Sequence, residues 1–198
     1  MSVREIPVAA VLEGATDSAV AERLLEHVGL TLGDVYGLRG KAHNDQRLHG
    51  YNNAARFAPW FVLRDLDRDA PCAPTLVKAL LPAPSLHMRF RVAVHQMEAW
   101  LLADAGAMSS HLSVPLARIP TSPDALANPK ATLVRLARGS SKRAVRRDMA
   151  PRAGSGAMVG PGYTTFVAAF ARDRWRPAVA AAQSPSLAKC IAALKTLR

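Results

Sequence analysis

Three carboxylates in the first third of the chain stand where acidic residues can act on a ligand. Glu13 directly follows the apolar run 6–12, and Asp65-Leu66-Asp67 follows the run Trp60-Phe61-Val62-Leu63 with one arginine between. Carboxylates held near one spot repel one another. A divalent cation removes that repulsion and favours their ionised forms. Hard oxygen ligands select Mg²⁺, Mn²⁺ or Ca²⁺ over zinc. Cys72 and Cys190 lie far apart, outside any Cys/His cluster, and read as free thiols. The Asp-x-Asp spacing suits a strand edge followed by a turn, which can aim both side chains at one ion. The same spacing also fits a solvated acidic loop. Asp69 reads as loop charge balancing Arg68. Glu98 sits in Met97-Glu98-Ala99-Trp100-Leu101-Leu102-Ala103, a segment apolar nearly all round and therefore buried. A buried carboxylate needs a partner or a raised pKa. Glu98 is thus either a fourth catalytic residue beside Glu13, Asp65 and Asp67, or a first-turn carboxylate stabilised by the helix dipole or by Arg91 or Arg64. His95, at the same junction, reads as a packed histidine or a proton shuttle. Trp60, Trp100 and Trp175 are spaced like core residues.

The elements that must hold these residues follow from periodicity. The runs 6–12, Val35–Leu38, Trp60–Leu63 and Met88–Val94 read as strands. Between them, residues 17–28, 42–56 and 74–81 have helical spacing, and Gln96–Asp104 follows as a further helix. Thr16 is the expected N-cap of the first helix, with Asp17 in its first turn. Alternating strands and helices with continuous apolar strands predict an α/β fold with a parallel sheet covered on both faces. Ligands bind beyond the carboxyl ends of such strands. Glu13 and Asp65 fall there, which is the reason to pair them. The second half is helical. Asn128-Pro129 opens a helix over Lys130–Ala137, residues 141–149 form a basic segment, 151–162 is a Gly/Pro-rich loop, Tyr163–Trp175 is helical, and Ser184-Pro185 opens a last helix burying Leu187, Cys190, Ile191 and Leu194. The expected organisation is an α/β core over 1–104 and a basic helical extension over 105–198, packed together as one unit.

The net charge of +11 is unevenly placed. Residues 1–104 hold 11 Lys/Arg and 12 Asp/Glu, whereas 105–198 hold 15 and 3. That asymmetry points to an anionic partner such as nucleic acid. Lys142, Arg143, Arg146 and Arg147 recur at helical spacing and would form one face for backbone phosphates. Lys130, in the first turn of its helix, is poorly placed for the dipole, which hints at phosphate holding. A solvated surface accounts for either feature equally simply. No apolar run reaches the length of a membrane span, and the first residues lead into a run too brief for a signal peptide. The expectation is a cytoplasmic protein.

The segments Val11-Leu12-Glu13-Gly14-Ala15-Thr16-Asp17 and Val62-Leu63-Arg64-Asp65-Leu66-Asp67 resemble the Toprim fold of topoisomerases, primases and overcoming-lysogenization-defect nucleases, which has a Glu after its first strand and Asp-x-Asp after its third. Val94-His95-Gln96-Met97-Glu98-Ala99-Trp100-Leu101-Leu102-Ala103-Asp104, then Asn128-Pro129-Lys130 and Ser184-Pro185-Ser186-Leu187, resemble the DUF4276 family of Toprim-like proteins, over nearly the whole chain. The resemblance implies a Toprim-like Rossmannoid sheet flanked by helices. It implies Mg²⁺ or Mn²⁺ on Glu13, Asp65 and Asp67, and phosphodiester cleavage of DNA or RNA. Topoisomerases also need a nucleophilic tyrosine; nothing marks Tyr36, Tyr51 or Tyr163 as one, so hydrolysis by an activated water is favoured. Nucleases of this kind often work beside ATPases in anti-phage systems. This chain has no GxxxxGK[ST] loop, so an ATPase would be a partner protein. Two other readings are a non-catalytic nucleic-acid- or partner-binding subunit and a nuclease for tRNA or other structured RNA.

Overall fold

A computed structural model describes residues 7–197. Four strands form one parallel sheet: β1 (Val8–Leu12), β2 (Leu32–Gly37), β3 (Trp60–Asp65) and β4 (Met88–Ala93), in the order β2-β1-β3-β4. Helix α1 (Ala15–His27) joins β1 to β2, α2 (Lys41–Ala54) joins β2 to β3, and α3 (Ala73–Leu80) joins β3 to β4. The protein is therefore α/β, with an all-parallel sheet between helical layers. Ile6, expected in the first strand, lies outside the described residues.

Alternation within the strands explains the two layers. Val8, Ala10 and Leu12 of β1, with Phe61 and Leu63 of β3, enter the larger core against α1 and the C-terminal helices. Val11, Trp60 and Val62 face the opposite way, into a smaller core with Leu48 of α2 and Leu76 of α3. The central strand β3 is buried on both sides. The connection from β1 leads outward to β2, and the chain then returns past β1 to β3. The strand order thus reverses between β1 and β3, where sheets of this kind leave a crevice at the carboxyl ends.

The helices of the second half are α4 (Glu98–Leu102), α5 (Ala105–Leu112), α6 (Pro129–Arg138), α7 (Arg143–Met149), α8 (Tyr163–Asp173), α9 (Pro177–Ala181) and α10 (Pro185–Leu194). The larger core runs without a break from Val8 to Leu197 across both halves. Trp100 is fully buried at the centre of this junction. Its indole donates to Ser186 Oγ (2.7 Å), and its carbonyl accepts from Trp175 Nε1 (3.1 Å).

Two local expectations are corrected. The helix expected over Gln96–Asp104 is shorter, covering Glu98–Leu102 as α4. Asp104 ends α4 and turns its buried carboxylate to Ala107 N (3.2 Å) and to the Arg176 guanidinium (2.6 and 2.9 Å), so it caps α5 instead of continuing α4. The N-cap of α1 is extended Gly14 rather than Thr16, and the Ser18 hydroxyl donates back to the Gly14 carbonyl at 3.1 Å. Asn128 and Ser184 do cap α6 and α10, accepting from Ala131 N (2.9 Å) and Leu187 N (3.2 Å). Among the described residues, no helix is long and apolar enough to cross a membrane.

Candidate functional site

The carboxyl edge of the sheet is built from unusual backbone. Leu38, Asp67 and His95, just beyond β2, β3 and β4, all have positive φ (57°, 47° and 55°). Each such residue costs on the order of 1 kcal/mol and persists only where its surroundings enforce it. Here they do. Leu38 N donates to Leu12 O (2.8 Å), Asp67 N donates to His95 O (2.7 Å), and His95 Nδ1 donates to Asp67 O (3.3 Å). Gly37 is required beside them, because a Cβ there would lie 2.6 Å from the Leu12 carbonyl. The loop after β2 is thus tied to the end of β1, and the loops after β3 and β4 are tied to each other.

At this edge Glu13 directly follows β1 and Asp65 ends β3, the strand-end positions that the sequence predicts. Asp65 Oδ1 accepts from Met97 N (2.8 Å), which fixes the turn into α4. Burial holds its pKa well above the usual carboxylate range, and the negative charges of Glu98, Asp17 and Glu13 add to the effect. Glu13 is raised by burial and by Asp67, partly offset by the Asp65 backbone, Arg64 and Lys41. Asp17 is raised to about 7, by burial first and then by Glu13 and Glu98. Burial and mutual repulsion therefore oppose the ionisation of Glu13, Asp17 and Asp65 in one place, with the charge of Glu98 beside Asp17 and Asp65.

Glu98 is 3% exposed. Its partners are not Arg91 or Arg64. Oε1 accepts from the Tyr163 hydroxyl (2.8 Å) and pairs with Lys130 Nζ (3.5 Å), while Oε2 is buried without a partner. Burial opposes the Lys130 charge, but Glu98, Asp65 and Asp17 outweigh it and raise its pKa. Tyr163 is pushed far above the ordinary phenol value by burial and by Glu98, so it remains a neutral donor.

Asp67 departs from expectation. Its carboxylate turns toward α2, where Oδ2 accepts from Lys41 Nζ at 2.6 Å and Oδ1 from Gln96 Nε2 at 3.4 Å. Asp69 pairs not with Arg68 but with Lys41 (2.8 Å) and Arg64 (2.8 Å), and Arg64 also grips Asp45. Glu13, Asp65 and Asp67 thus lie near one another without closing on a common point. Among the described residues, no three His, Cys, Asp or Glu side chains stand as a finished metal cage. The donor chemistry nonetheless suits a divalent cation. Glu13 Oε1 and Glu98 Oε2 are both buried carboxylate oxygens with no hydrogen-bond partner, a costly state that a hard cation relieves.

The basic residues occupy α6 and α7. Lys142, Arg143, Arg146 and Arg147 are exposed, while Val145 and Met149 of the same helix are buried. Arg147 pairs with Asp148 (2.7 Å), and Arg146 donates to Ser140 O (2.5 Å). The N-terminus of α6 lies at the acidic site, where Lys130 N donates to Gln96 Oε1 (3.1 Å). The ten residues of α6 span about 15 Å, and the basic residues of α7 follow its C-terminal end.

Sequence reasoning missed Asp17, Lys41, Gln96 and Tyr163 as members of this region. Asp17 had a usable signal, since it lies one helical turn beyond Glu13 at the same strand end. Tyr163 had none, because it reaches Glu98 from 65 residues away. Comparison of the chain with protein-family models, with curated proteins and with solved structures gives no match.

Proposed function

We propose that this protein is a Mg²⁺- or Mn²⁺-dependent phosphodiesterase, a nuclease acting on DNA or RNA. The carrying observation is the set of mutually repelling carboxylates at the strand-order reversal, two of which keep buried oxygens unpartnered. The likeness of residues 11–17, 62–67 and 94–104 to Toprim-like proteins of the DUF4276 family supports the same reading.

Glu13 and Asp65 would hold the cation, with Glu98 and Asp67 as further carboxylate donors. The chemistry a bound Mg²⁺ or Mn²⁺ supplies is neutralisation of charge developing on the phosphate and easier deprotonation of an attacking water. The chain's own residues do the rest. Lys130 offers an ammonium beside the carboxylates for a phosphate oxygen, and Tyr163 fixes Glu98 by donating to its other oxygen. Lys142, Arg143, Arg146 and Arg147 would hold flanking backbone phosphates, contacts that suit DNA and RNA alike. In an anti-phage setting, an ATPase partner would supply the energy coupling this chain has no P-loop to provide.

One observation favours a second reading, a nucleic-acid-binding subunit with little catalysis. Asp67 is already paired with Lys41. Cleavage assays with Mg²⁺ or Mn²⁺ on plasmid, single-stranded DNA and total tRNA separate the two. Wild type should cleave at least one substrate, and Asp65→Ala and Glu13→Gln should each reduce the rate by at least about 100-fold. Cleavage that survives a chelator and both substitutions would sink the enzyme reading. Salt-sensitive binding without cleavage would favour the binding subunit.

A further inference from the structure

Two cations hold the loop after β3, and they hold it differently. Arg64 is 6% exposed and makes a forked contact to Asp45, with Nε at 3.0 and 3.2 Å and Nη2 at 2.8 Å. Its Nη2 also reaches Asp69 at 2.8 Å. A buried, multiply bonded guanidinium of this kind is permanent scaffold. Lys41 is a single ammonium at the start of α2, about one-third exposed (33%), as are its partners Asp67 (33%) and Asp69 (34%). Ion pairs this open to water are held by little net free energy and exchange readily.

We propose that Lys41 guards the ligand position of Asp67, a tethered stand-in that a divalent cation must displace. The inference rests on the metal-site reading above. Asp67 Oδ2 is 2.6 Å from the ammonium, so Asp67 cannot turn that oxygen toward Glu13 and Asp65 while the pair is closed. Asp69, 2.8 Å from the same nitrogen, gives Lys41 a second anchor. When Asp67 leaves for the cation, Lys41 keeps a carboxylate partner and the loop stays tied to Arg64. Gln96 adds direction. Its amide donates to Asp67 Oδ1 while its carbonyl oxygen accepts from Lys130 N, so the departure of Asp67 is felt at the first turn of α6. Lys41 is therefore a positioning residue that sets how tightly the site takes its ion.

The test is Mn²⁺ binding to the metal-free full-length protein, read from the electron paramagnetic resonance signal of free Mn²⁺ at fixed pH and ionic strength. Far-UV circular dichroism checks that each variant is folded. Lys41→Met should bind Mn²⁺ about five-fold more tightly than wild type, and Lys41→Arg should restore wild-type affinity. The gain should vanish when Asp67→Asn is added, because the ligand position is then gone. Lys41→Met that binds no more tightly than wild type, or that gains as much in the Asp67→Asn background, overturns the guard. If wild type binds Mn²⁺ and Asp65→Ala abolishes it, the metal-site reading stands whatever Lys41 does. If wild type binds none, both fall together.

Discussion

Asp17 shows how much a neighbour's charge matters at the scale of one residue. From its position alone it is a favourable first-turn carboxylate, drawn to the positive end of α1. In the folded chain burial and the negative charges of Glu13 and Glu98 outweigh that benefit, and its pKa rises to about 7. A carboxyl whose pKa is higher folded than unfolded destabilises the fold once it ionises. The penalty is absent below the unfolded value near 4, grows as pH rises toward 7, and is complete above 7. In metal-free protein, Asp17→Asn should therefore raise the melting temperature by about 3 °C at pH 8 and leave it unchanged at pH 4. On the proposed metal-site reading, saturating Mg²⁺ should shrink the difference at pH 8, because a bound cation would take over the compensation. Calorimetry across that pH range checks both. A gain of equal size at pH 4 would mean that Asp17 acts through packing and not through charge.

At the scale of elements, the proposed contact with an anionic polymer falls on α6 and α7. Helix α6 starts at the acidic site with Lys130, and α7 follows with its outward basic face. The four basic residues of that face are not equivalent. Arg147 is already engaged by Asp148, whereas among the described residues Arg143 and Lys142 have no ion pair. In filter-binding or anisotropy titrations over a salt series, Arg143→Ala should reduce the slope of log affinity against log salt by about 1. Arg147→Ala should reduce it less, because the substitution also frees Asp148. Equal effects from both would show that the Asp148 pair does not persist on binding. The break between α4 and α5 belongs to this scale too. An apolar stretch with helical spacing over 96–104 reads as a helix running to Asp104, but a buried Asp104 that caps the next helix and takes Arg176 ends α4 at Leu102.

The whole molecule is one apolar core divided by a sheet. The first 104 residues contain every strand and the acidic site, and they look separable by charge. They are not separable by packing. One face of the sheet, with α1 and Trp100, is covered by helices drawn from α4 to α10. Residues 1–104 produced alone would expose that face and should lack the near-ultraviolet dichroism of fixed tryptophans. The full chain should unfold in a single transition seen alike by fluorescence and far-ultraviolet dichroism. Two separated transitions would show instead that the halves hold themselves together independently.

The sequence by itself determined the layered fold and the address of the site. Strand periods, helix caps at Asn128 and Ser184, and carboxylates just past Leu12 and Leu63 are local signals, carried by residues within a few positions of one another. They were legible because backbone conformation and strand-end placement depend on near neighbours. Only the tertiary structure decided which charges meet. It turned Asp67 to Lys41, gave Glu98 to Tyr163 and Lys130 in place of Arg64 or Arg91, and gathered Asp17 into the acidic cluster. Those pairings join residues from separate helices and depend on side-chain direction and burial, which no spacing along the chain encodes.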